Sequence, residues 1–384
     1  MSCMANIFLP SPHPFSTLFP YSPIPLFPYS LPFAFIITPQ STPMGIFMSK
    51  SRENLSFLLL LAAVALSVPL VLGFLGAVHP ALDSFSHFRA HIAVLLAVLT
   101  LPLLFTRMRR EAAMLLLFAV MALSTTIGAA RDFLSGSTGA QADEQAGARY
   151  SLVQINLRED NPEPKRILQM IAREKPDVIT YEEASDQWSK WLTILQGSYP
   201  YHLNCADDPN TWGVGILSKR PFSEEAQTAC VGDGLLAIAP INFGGTTVHV
   251  AAIHFSWPWP RWQPHQLRYI EPELQKLNGP MIIAGDFNAA PWSNAVRRVE
   301  YASGTRHLTG IGGTWMTHLL PVSLSPYIGL PIDQILVSPE IGGARVSSRE
   351  DAGSDHLPVR LDFSVPPPVR PDEEEPETQS VMLQ

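Results

Sequence analysis

The chain has few charged residues for its length. Of its 384 residues, 16% are Asp, Glu, Lys or Arg, whereas an ordinary soluble domain has roughly 25%. The deficit lies almost entirely before Arg149, and no Asp, Glu, Lys or Arg precedes Lys50. This uneven distribution predicts an apolar N-terminal part followed by a polar domain.

An excess of basic residues is also missing. There are 26 Lys and Arg against 34 Asp and Glu, so that the formal net charge is −8. Because surfaces that bind nucleic acid avidly normally lean basic, this balance weighs against an avid duplex binder. It does not exclude a nuclease, since a bound divalent cation would offset several acidic side chains locally.

Cysteine is scarce as well, with only Cys3, Cys205 and Cys230 and no CxxC motif. This spacing argues against a structural zinc site. Cys205 and Cys230 both fall in the polar domain. They could form a disulfide if that domain lies outside the cytosol, or they could be two buried free thiols. The sequence leaves both possibilities open.

The first 47 residues lack charge and are rich in Pro, Ser and Phe. Recurrent prolines would break a helix repeatedly, and the stretch lacks the basic start and continuous apolar core of a signal peptide. We therefore expect residues 1–47 to be disordered or to result from the choice of start codon. Met44 or Met48 would then be the natural beginning.

Three long apolar runs follow, at about 55–78, 90–106 and 111–130. Each approaches the roughly 20 residues that a helix needs to cross a hydrocarbon core. The alternative is buried helices of a soluble domain, but none of the three runs has a polar face. The pattern predicts a three-helix transmembrane anchor over residues 48–131.

The basic residues near these runs predict their orientation, because the ends of membrane-spanning helices that carry Lys and Arg tend to stay in the cytoplasm. Such residues precede the first run and lie between the second and third, at Lys50, Arg52, Arg107, Arg109 and Arg110. The N-terminus is therefore expected inside and the chain after the third run outside. In a bacterium this is a multi-pass inner-membrane protein whose polar domain is periplasmic.

The polar domain is expected at residues 149–365, after a flexible linker at 132–148 and before a disordered acidic tail at 366–384. Within it, short β-rich runs such as SLVQIN, DVITY and PMIIAGDF alternate with helical patterns. One helix is predicted over 164–174 and another between 262 and 277. This alternation indicates a layered α/β domain.

Polar residues follow several of these apolar strands. Asp286 and Asn288 lie two apart in GDFN, so that on an extended backbone they face one site. Asp355 and His356 are adjacent in SDH, and Asp333 opens another strand, where it could hold the imidazole of His356. Taken alone, the first cluster could be an Asx turn and the second a surface turn.

Three more strands end in the same way, with Asn156, with the pair Glu182 and Glu183, and with His254. In layered α/β folds, functional sites gather at strand ends and in the loops beyond them. Six such coincidences in one domain predict a catalytic or binding site. Beyond His254, the segment SWPWPRWQPHQ carries Trp257, Trp259, Trp262 and Arg261. It could stack on a base, lie at a lipid headgroup layer, or pack its own tryptophans.

The order and flanks of these motifs resemble the endonuclease/exonuclease/phosphatase superfamily, which includes pancreatic deoxyribonuclease and bacterial sphingomyelinases. GDFN and SDHLPV are the most specific pieces, and the resemblance runs from about Tyr150 to Phe363. It implies a four-layered α/β sandwich of two packed β-sheets flanked by helices, here preceded by three transmembrane helices. The anchor followed by this domain resembles the bacterial membrane-bound branch of the family.

The resemblance also implies roles for the polar residues. The implied catalytic residues are Asp286, Asn288, His254, His356 and Asp333. The implied metal-site residues are Glu183, Asn156 and Asp355. Two positions depart from the family pattern: Glu182 stands where Gln is usual, and Gln334 stands where His is common. Because of the first departure, we place the metal ligand at Glu183 rather than at Glu182. The second departure puts in doubt which residues surround and support Asp333.

An oxygen-rich site with few histidines favours Mg²⁺, with Mn²⁺ as a second choice, over zinc. The expected function is therefore that of a membrane-anchored, metal-dependent phosphoesterase that hydrolyses phosphodiester bonds in nucleic acid or in phospholipid headgroups. The alternative is a catalytically silent membrane-tethered domain that binds phosphorylated ligands.

Overall fold

The computed structural model describes residues 44–127, 147–206, 212–317 and 319–367. The predicted disordered start, the linker and the acidic tail lie almost entirely outside these ranges. The chain divides into two units, residues 1–50 and residues 51–384. The fold and the sites described below belong to the second unit.

The N-terminal part is helical. Its α-helices are α1 (Met44–Leu72), α2 (Pro80–Ser86), α3 (Arg89–Thr100) and α4 (Arg109–Ser124). Short 3₁₀ turns follow α1 at Gly73–Leu75 and α3 at Leu101–Phe105. Small residues allow α1, α3 and α4 to pack closely, and the buried contacts include Ala63, Ala93, Ala119 and Ala122.

One helix of the described chain is long and apolar enough by itself to cross a membrane. It spans Lys50–Leu75, with 26 residues and a mean hydropathy of 2.7. The helices Pro80–Ser86 and Arg89–Phe105 meet at a bend of 58°. They count as a second span only if the two together cross the membrane once. The third run forms a helix of 16 residues. Three transmembrane helices therefore stay a prediction.

The polar domain contains two six-stranded sheets. The strands of the first sheet are β1 (Ala148–Asn156), β2 (Val178–Ala184), β3 (Tyr201–Cys205), β4 (Gly213–Ser218), β11 (Gly342–Ser348) and β12 (Val359–Val365). Those of the second are β5 (Ala229–Val231), β6 (Leu236–Phe243), β7 (Thr246–His254), β8 (Met281–Asp286), β9 (Arg306–His307) and β10 (Asp333–Val337). The first sheet has the order β11-β12-β1-β2-β4-β3 and the second the order β5-β6-β7-β8-β10-β9.

The helices of this domain are α5 (Pro164–Glu174), α6 (Ser189–Gln196), α7 (Gln263–Gln275), α8 (Asn294–Ser303) and α9 (Ser325–Ile328). The predicted bounds of α5 are confirmed. Proline is accepted at its first position, and the helix ends because Lys175 adopts a left-handed conformation immediately before Pro176. The prediction between 262 and 277 corresponds to α7, which contains Pro272.

The central strands are buried on both faces because both faces are covered, whereas edge strands such as β3 and β11 are partly exposed. In β1, Leu152 points between the two sheets, whereas Val153 and Ile155 point towards α5. The outer face of the second sheet packs on α7 and α8, where Ile283 meets Leu267 and Val296 in one core. The layers are helices, sheet, sheet, helices, and the predicted α/β sandwich is confirmed.

The parallel strand pairs determine where the polar residues collect. β1 pairs in parallel with β2, and β7 with β8. The crossovers run through α5 and α7, so that the carboxyl ends of each pair lie at one edge. The two sheets are stacked with these edges together.

A disulfide joins the two sheets at one lateral edge. Cys205 ends β3, an edge strand of the first sheet, and Cys230 lies in β5, an edge strand of the second. Their sulfur atoms are bonded, with the Cα atoms 5.4 Å apart. Of the two possibilities left open by the sequence, the structure contains the disulfide.

The helical part contacts the polar domain through α2. The carboxylate of Asp83 accepts hydrogen bonds from the backbone N–H groups of Asn294 and Ala295, at 2.8 and 3.1 Å. The indole N–H of Trp292 donates to the carbonyl oxygen of Ser86 at 2.6 Å. Asp83 therefore caps the first turn of α8 from a distant part of the chain.

Candidate active site

The predicted polar residues meet at the shared edge of the two sheets. In the strand register, Asn156 lies opposite Glu182, and Asp286 lies between His254 on one side and Asp333 on the other. The loop before β12 adds His356. Strand pairing alone therefore brings together residues that are far apart in the sequence.

His356 and Asp333 form the carboxylate–imidazole pair that the sequence predicted. The Nδ1 atom of His356 lies 2.8 Å from Oδ2 of Asp333, and both residues are buried. Burial lowers the pKa of His356, but the negative charges of Asp333 and Asp286 outweigh it and raise that pKa well above its ordinary value. His356 is therefore held as an imidazolium whose Nε2 faces the site.

Asp286 lies at the centre. It accepts hydrogen bonds from the backbone N–H of Asn288 at 2.8 Å and from the side-chain amide of Asn156 at 3.1 Å. Its Oδ2 lies 3.7 Å from Nε2 of His356 and 3.9 Å from Nε2 of His254. Burial is the main reason why the pKa of Asp286 rises to about 8. The carboxylate is thus suited to exchange a proton near neutral pH.

The amide of Asn288 is held by the protein rather than left free. Its Nδ2 donates to the carbonyl oxygen of Phe255 at 2.7 Å and approaches Oδ2 of Asp286 at 3.4 Å. Asn288 has a left-handed backbone conformation, with φ of 45°. The loop after β8 therefore holds Asp286 and Asn288 together, as their spacing predicted.

Glu183 reaches the site through an irregularity in β2. The register with β4 shifts between Tyr181 and Ala184, and Glu183 has a φ of 57°. Its Oε1 accepts from Asn156 at 2.9 Å and lies 3.7 Å from Nε2 of His254. Burial raises the pKa of Glu183, but the nearby His254 and Asn156 more than offset this, and the pKa is lowered.

Two groups of side chains are close enough to hold a metal ion. In each, the ligand atoms lie within 4.8 Å of one another, and Asp286 belongs to both. The groups are Glu183, His254 and Asp286, and Asp286, Asp333 and His356. The carboxyl group of Glu159 adjoins that of Glu183, and burial together with this contact raises the pKa of Glu159 to about 7. This concentration of carboxylates fits a hard divalent cation, which would neutralise their repulsion.

The other two predicted metal-site residues are differently placed. Asn156 presents its amide nitrogen to Glu183 and Asp286, while its oxygen accepts from the backbone N–H of Arg158 at 2.9 Å. Asp355 accepts from the indole of Trp315 at 3.2 Å and belongs to neither group. In this arrangement Asn156 positions the carboxylates, and metal binding by Asn156 and Asp355 stays a prediction.

Two polar residues of the site were not assigned a role from the sequence. Gln154 donates from Nε2 to Glu182 and to Asp333, at 2.9 Å each, and so links the two sheets beneath the site. Glu159 adjoins Glu183. The position of Gln154, two residues before Asn156 on β1, is the signal that could have indicated it. Glu159 lies in a loop and has no comparable signal.

The two departures from the family pattern are accommodated inside the fold. Glu182 is fully buried beside Gln154, and burial raises its pKa well above its ordinary value, which favours a neutral side chain like that of the usual Gln. Gln334 donates to the carbonyl oxygens of Ala289 and Pro331, at 2.9 and 2.7 Å. It thereby holds the loop after β8.

A cleft of about 630 Å³ opens above these residues. Its floor includes Asp286 and His356, and its walls carry several aromatic and basic side chains: Trp212, Trp257, Trp262, Trp315, Arg158 and Arg261. Trp257 packs edge-on against Trp315, with ring centroids 5.5 Å apart. The tryptophan segment thus forms part of the cleft wall.

The model of the Endonuclease/Exonuclease/phosphatase family matches residues 153–356. This range contains every residue of the site described above and more than half of the chain. The chain belongs to this family. A comparison with curated proteins finds no match.

Solved structures of family members resemble the polar domain. D. rerio TDP2 in complex with a single-strand DNA product is 20% identical, covers 57% of this chain and 100% of its own, and gives a TM-score of 0.47. The Bacteroides vulgatus endonuclease/exonuclease/phosphatase is 16% identical over 57% and 99%, with a TM-score of 0.48. The Neisseria 3′ phosphatase NExo is 17% identical over 56% and 99%, with a TM-score of 0.44.

Proposed function

We propose that this chain is a membrane-attached phosphodiesterase that depends on Mg²⁺ or Mn²⁺. The observation that carries the proposal is the pair His356–Asp333, at 2.8 Å, with Asp286 3.7 Å beyond the imidazole at the floor of an open cleft. An imidazolium, a carboxylate of raised pKa and a group of metal-binding carboxylates together meet the needs of in-line attack of water on phosphorus.

Each polar residue has a distinct part in this proposal. Asp286 accepts the proton of the attacking water, and Asn288 holds Asp286 and its loop in place. His356, kept protonated by Asp333, donates from Nε2 to the phosphate oxygens as negative charge grows on them. His254 is buried, which lowers its pKa, so that it is a neutral imidazole beside the phosphate.

The metal would be held by Glu183, with Glu159 and His254 adjacent, which leaves Asp286 to act on the attacking water. When bound, a divalent ion neutralises phosphate charge and stabilises the leaving oxygen. The largely oxygen donor set of the site supports Mg²⁺ or Mn²⁺. Asn156 positions both carboxylates through its amide, and Asp355 lies at the margin of the same cleft.

Both substrate classes expected from the sequence fit the cleft. Trp257 and Trp262 offer flat apolar surfaces, and Arg158 and Arg261 offer positive charge for a phosphate. Nucleic acid would use them for base stacking and backbone binding. A phospholipid headgroup would use them at the membrane surface, which the helix Lys50–Leu75 would place nearby.

The organisation that accompanies this function is also proposed. Residues 48–131 form the anchor, 149–365 the catalytic domain, and 132–148 the linker between them. The catalytic domain faces the periplasm of a bacterial inner membrane. The disulfide between Cys205 and Cys230 supports this placement, because such bonds persist mainly in oxidising compartments.

The test is hydrolysis by the full-length chain in uncharged detergent. Bis-p-nitrophenyl phosphate, single- and double-stranded DNA and sphingomyelin are compared, with Mg²⁺, with Mn²⁺ and with EDTA. We expect turnover that EDTA abolishes and that Asp286→Asn and His356→Gln each reduce by roughly 10²- to 10⁴-fold, the usual contribution of acid–base groups.

Matched controls are Asp186→Asn and His202→Gln, whose side chains are exposed and outside the cleft. Both should retain activity. The preferred substrate separates a nuclease from a lipid phosphodiesterase. A folded chain that binds phosphorylated ligands but turns over none of these substrates with either metal would overturn the proposal in favour of a silent binding domain.

A further inference from the structure

A second cavity, of about 1070 Å³, lies between α3 and the polar domain, and we call it the interface cavity. One wall is the apolar side of α3, with Val94, Leu95 and Val98. The facing wall belongs to the polar domain and includes Trp292 and Ile328. These walls come from the membrane-proximal helices on one side and from the catalytic domain on the other.

The polar end of the interface cavity is cationic. Arg89 and Arg297 both line it, and neither forms an ion pair within 4 Å among the described residues. The two guanidinium groups are close enough to repel each other, and the charge of Asp83 acts on Arg89 from nearby. The Asp83 carboxylate is occupied by the backbone of α8. An anion between the two arginines would relieve their repulsion.

Arg89 is fixed at this end of the cavity by the helical part. It is only 5% exposed, and its Nη2 donates to the carbonyl oxygen of Gly73 at 2.8 Å. Its Nη1 donates to Oγ1 of Thr125 at 3.4 Å, and its guanidinium group lies 4.1 Å from the centre of the Phe74 ring. Arg297, on the facing wall, is exposed, so that positive charge lines the cavity from both sides.

The apolar end of the cavity is continuous with surface that a membrane would cover. Val98 is 57% exposed and Leu95 49%, and on the domain side Tyr327 is 84% exposed. In water this would be an unfavourable apolar patch, whereas acyl chains would cover it at no cost. A ligand that complements this cavity has a negative charge at the end that meets the arginines and an apolar body along the rest of its length. Such a ligand is an amphiphile.

We infer that the interface cavity binds one anionic phospholipid, with its phosphate at Arg89 and Arg297 and its acyl chains along α3. The interface cavity is distinct from the catalytic cleft, although Asp333 also lies in its lining, and the lipid is a ligand there and not a substrate. The inference rests on the proposed membrane attachment but not on the proposed hydrolysis.

The experiment uses the full-length chain in uncharged detergent micelles. Dioleoylphosphatidylglycerol or dioleoylphosphatidylcholine is titrated in, and native mass spectrometry counts the lipids bound per chain. We expect one saturable site for phosphatidylglycerol, with clearly weaker binding of phosphatidylcholine. The phosphatidylglycerol should be recovered unhydrolysed.

Two variants and one control locate the site. Arg297→Gln should weaken phosphatidylglycerol binding roughly tenfold, the usual effect of losing one charge-assisted contact. Val98→Trp, at an exposed position, should weaken binding of the acyl chains without altering the fold. Arg298→Gln is the matched control, because Arg298 is the neighbouring residue on α8, pairs with Glu271 at 2.6 Å and does not line the cavity.

Equal binding of the two lipids, or lipid counts that rise without saturation and ignore both variants, would overturn the inference. The outcomes for the proposed function are distinct. Loss of phosphodiester hydrolysis with intact phosphatidylglycerol binding would contradict only the enzyme. Release of the chain from membranes by alkaline carbonate would contradict the attachment itself.

Discussion

At the scale of single residues, two adjacent glutamates have opposite surroundings. Glu182 is fully buried between the sheets, where it shares the amide of Gln154 with Asp333. Glu183 faces the cleft beside His254 and Glu159. Alternation along β2 already points the two side chains to different faces, and the irregularity of β2 at this point turns Glu183 from the helix layer towards the cleft.

This contrast leads to a paired prediction. Glu183→Gln should lower metal-dependent phosphodiesterase activity by roughly 100-fold or more, because a charged ligand is lost. Glu182→Gln should retain activity within about threefold, since burial raises the pKa of Glu182 and so already favours its neutral form. The measurement is the rate as a function of Mg²⁺ concentration for both variants. Equal losses, or an effect confined to Glu182→Gln, would contradict the assignment of the ligand to Glu183.

Gly285 shows why a small residue precedes the central aspartate. A Cβ atom at this position would overlap the backbone carbonyl oxygen of Ile253 on the neighbouring strand β7. The close approach brings His254 and Asp286 side by side. The glycine of GDFN is thus a packing requirement of the site and not a turn.

At the scale of elements, α8 begins with two caps. Ser293 accepts from the backbone N–H of Val296 at 3.2 Å, as is usual for an N-cap residue. Asp83, from α2, accepts from Asn294 and Ala295, the next two N–H groups to be satisfied. The helix that follows the catalytic loop therefore depends on a residue that lies 212 positions earlier in the chain.

Asp83→Ala should lower the free energy of unfolding by about 2 kcal/mol, because buried N–H groups at a helix start lose a charged acceptor. Thermal unfolding of the full-length chain in detergent measures the change. Asp362→Ala is the control: its carboxylate is about half exposed and pairs with Arg360, so that its loss should cost about 0.5 kcal/mol. Equal midpoints for the two variants would show that the cap does not stabilise the domain.

At the scale of the whole molecule, the disulfide connects the two sheets. Cys205 and Cys230 lie on edge strands of different sheets and are 25 residues apart in sequence. Closing a loop of this length restricts the unfolded chain and stabilises the fold by roughly 3 kcal/mol. The bond is also a marker of the compartment in which the domain folds.

We expect neither cysteine to react with an alkylating reagent when the chain is extracted from cells and denatured without reductant. Both should react after reduction, which serves as the control. The double variant Cys205→Ser, Cys230→Ser should unfold with about 3 kcal/mol less free energy than the parent chain. Full alkylation of both thiols without reductant would contradict the bond and, with it, the support for a periplasmic domain.

Much of the fold and of the site could be predicted from the sequence because the relevant signals are local. The strands, the bounds of α5, and polar residues such as Asn156, His254 and Asp286 at strand ends all follow from short-range alternation and spacing. The number of membrane spans could not be settled in this way. The third apolar run is long enough in sequence, yet its helix has only 16 residues.

Only the tertiary structure decided the features that depend on long-range packing. The pairing of Cys205 with Cys230, the cap that Asp83 provides to α8, and the bridge of Gln154 between sheets each join residues whose sequence separation carries no local pattern. The interface cavity likewise exists only because α3 and the polar domain are brought together. Local backbone preferences therefore determine which elements form, whereas the burial of their apolar faces against one another determines which side chains meet.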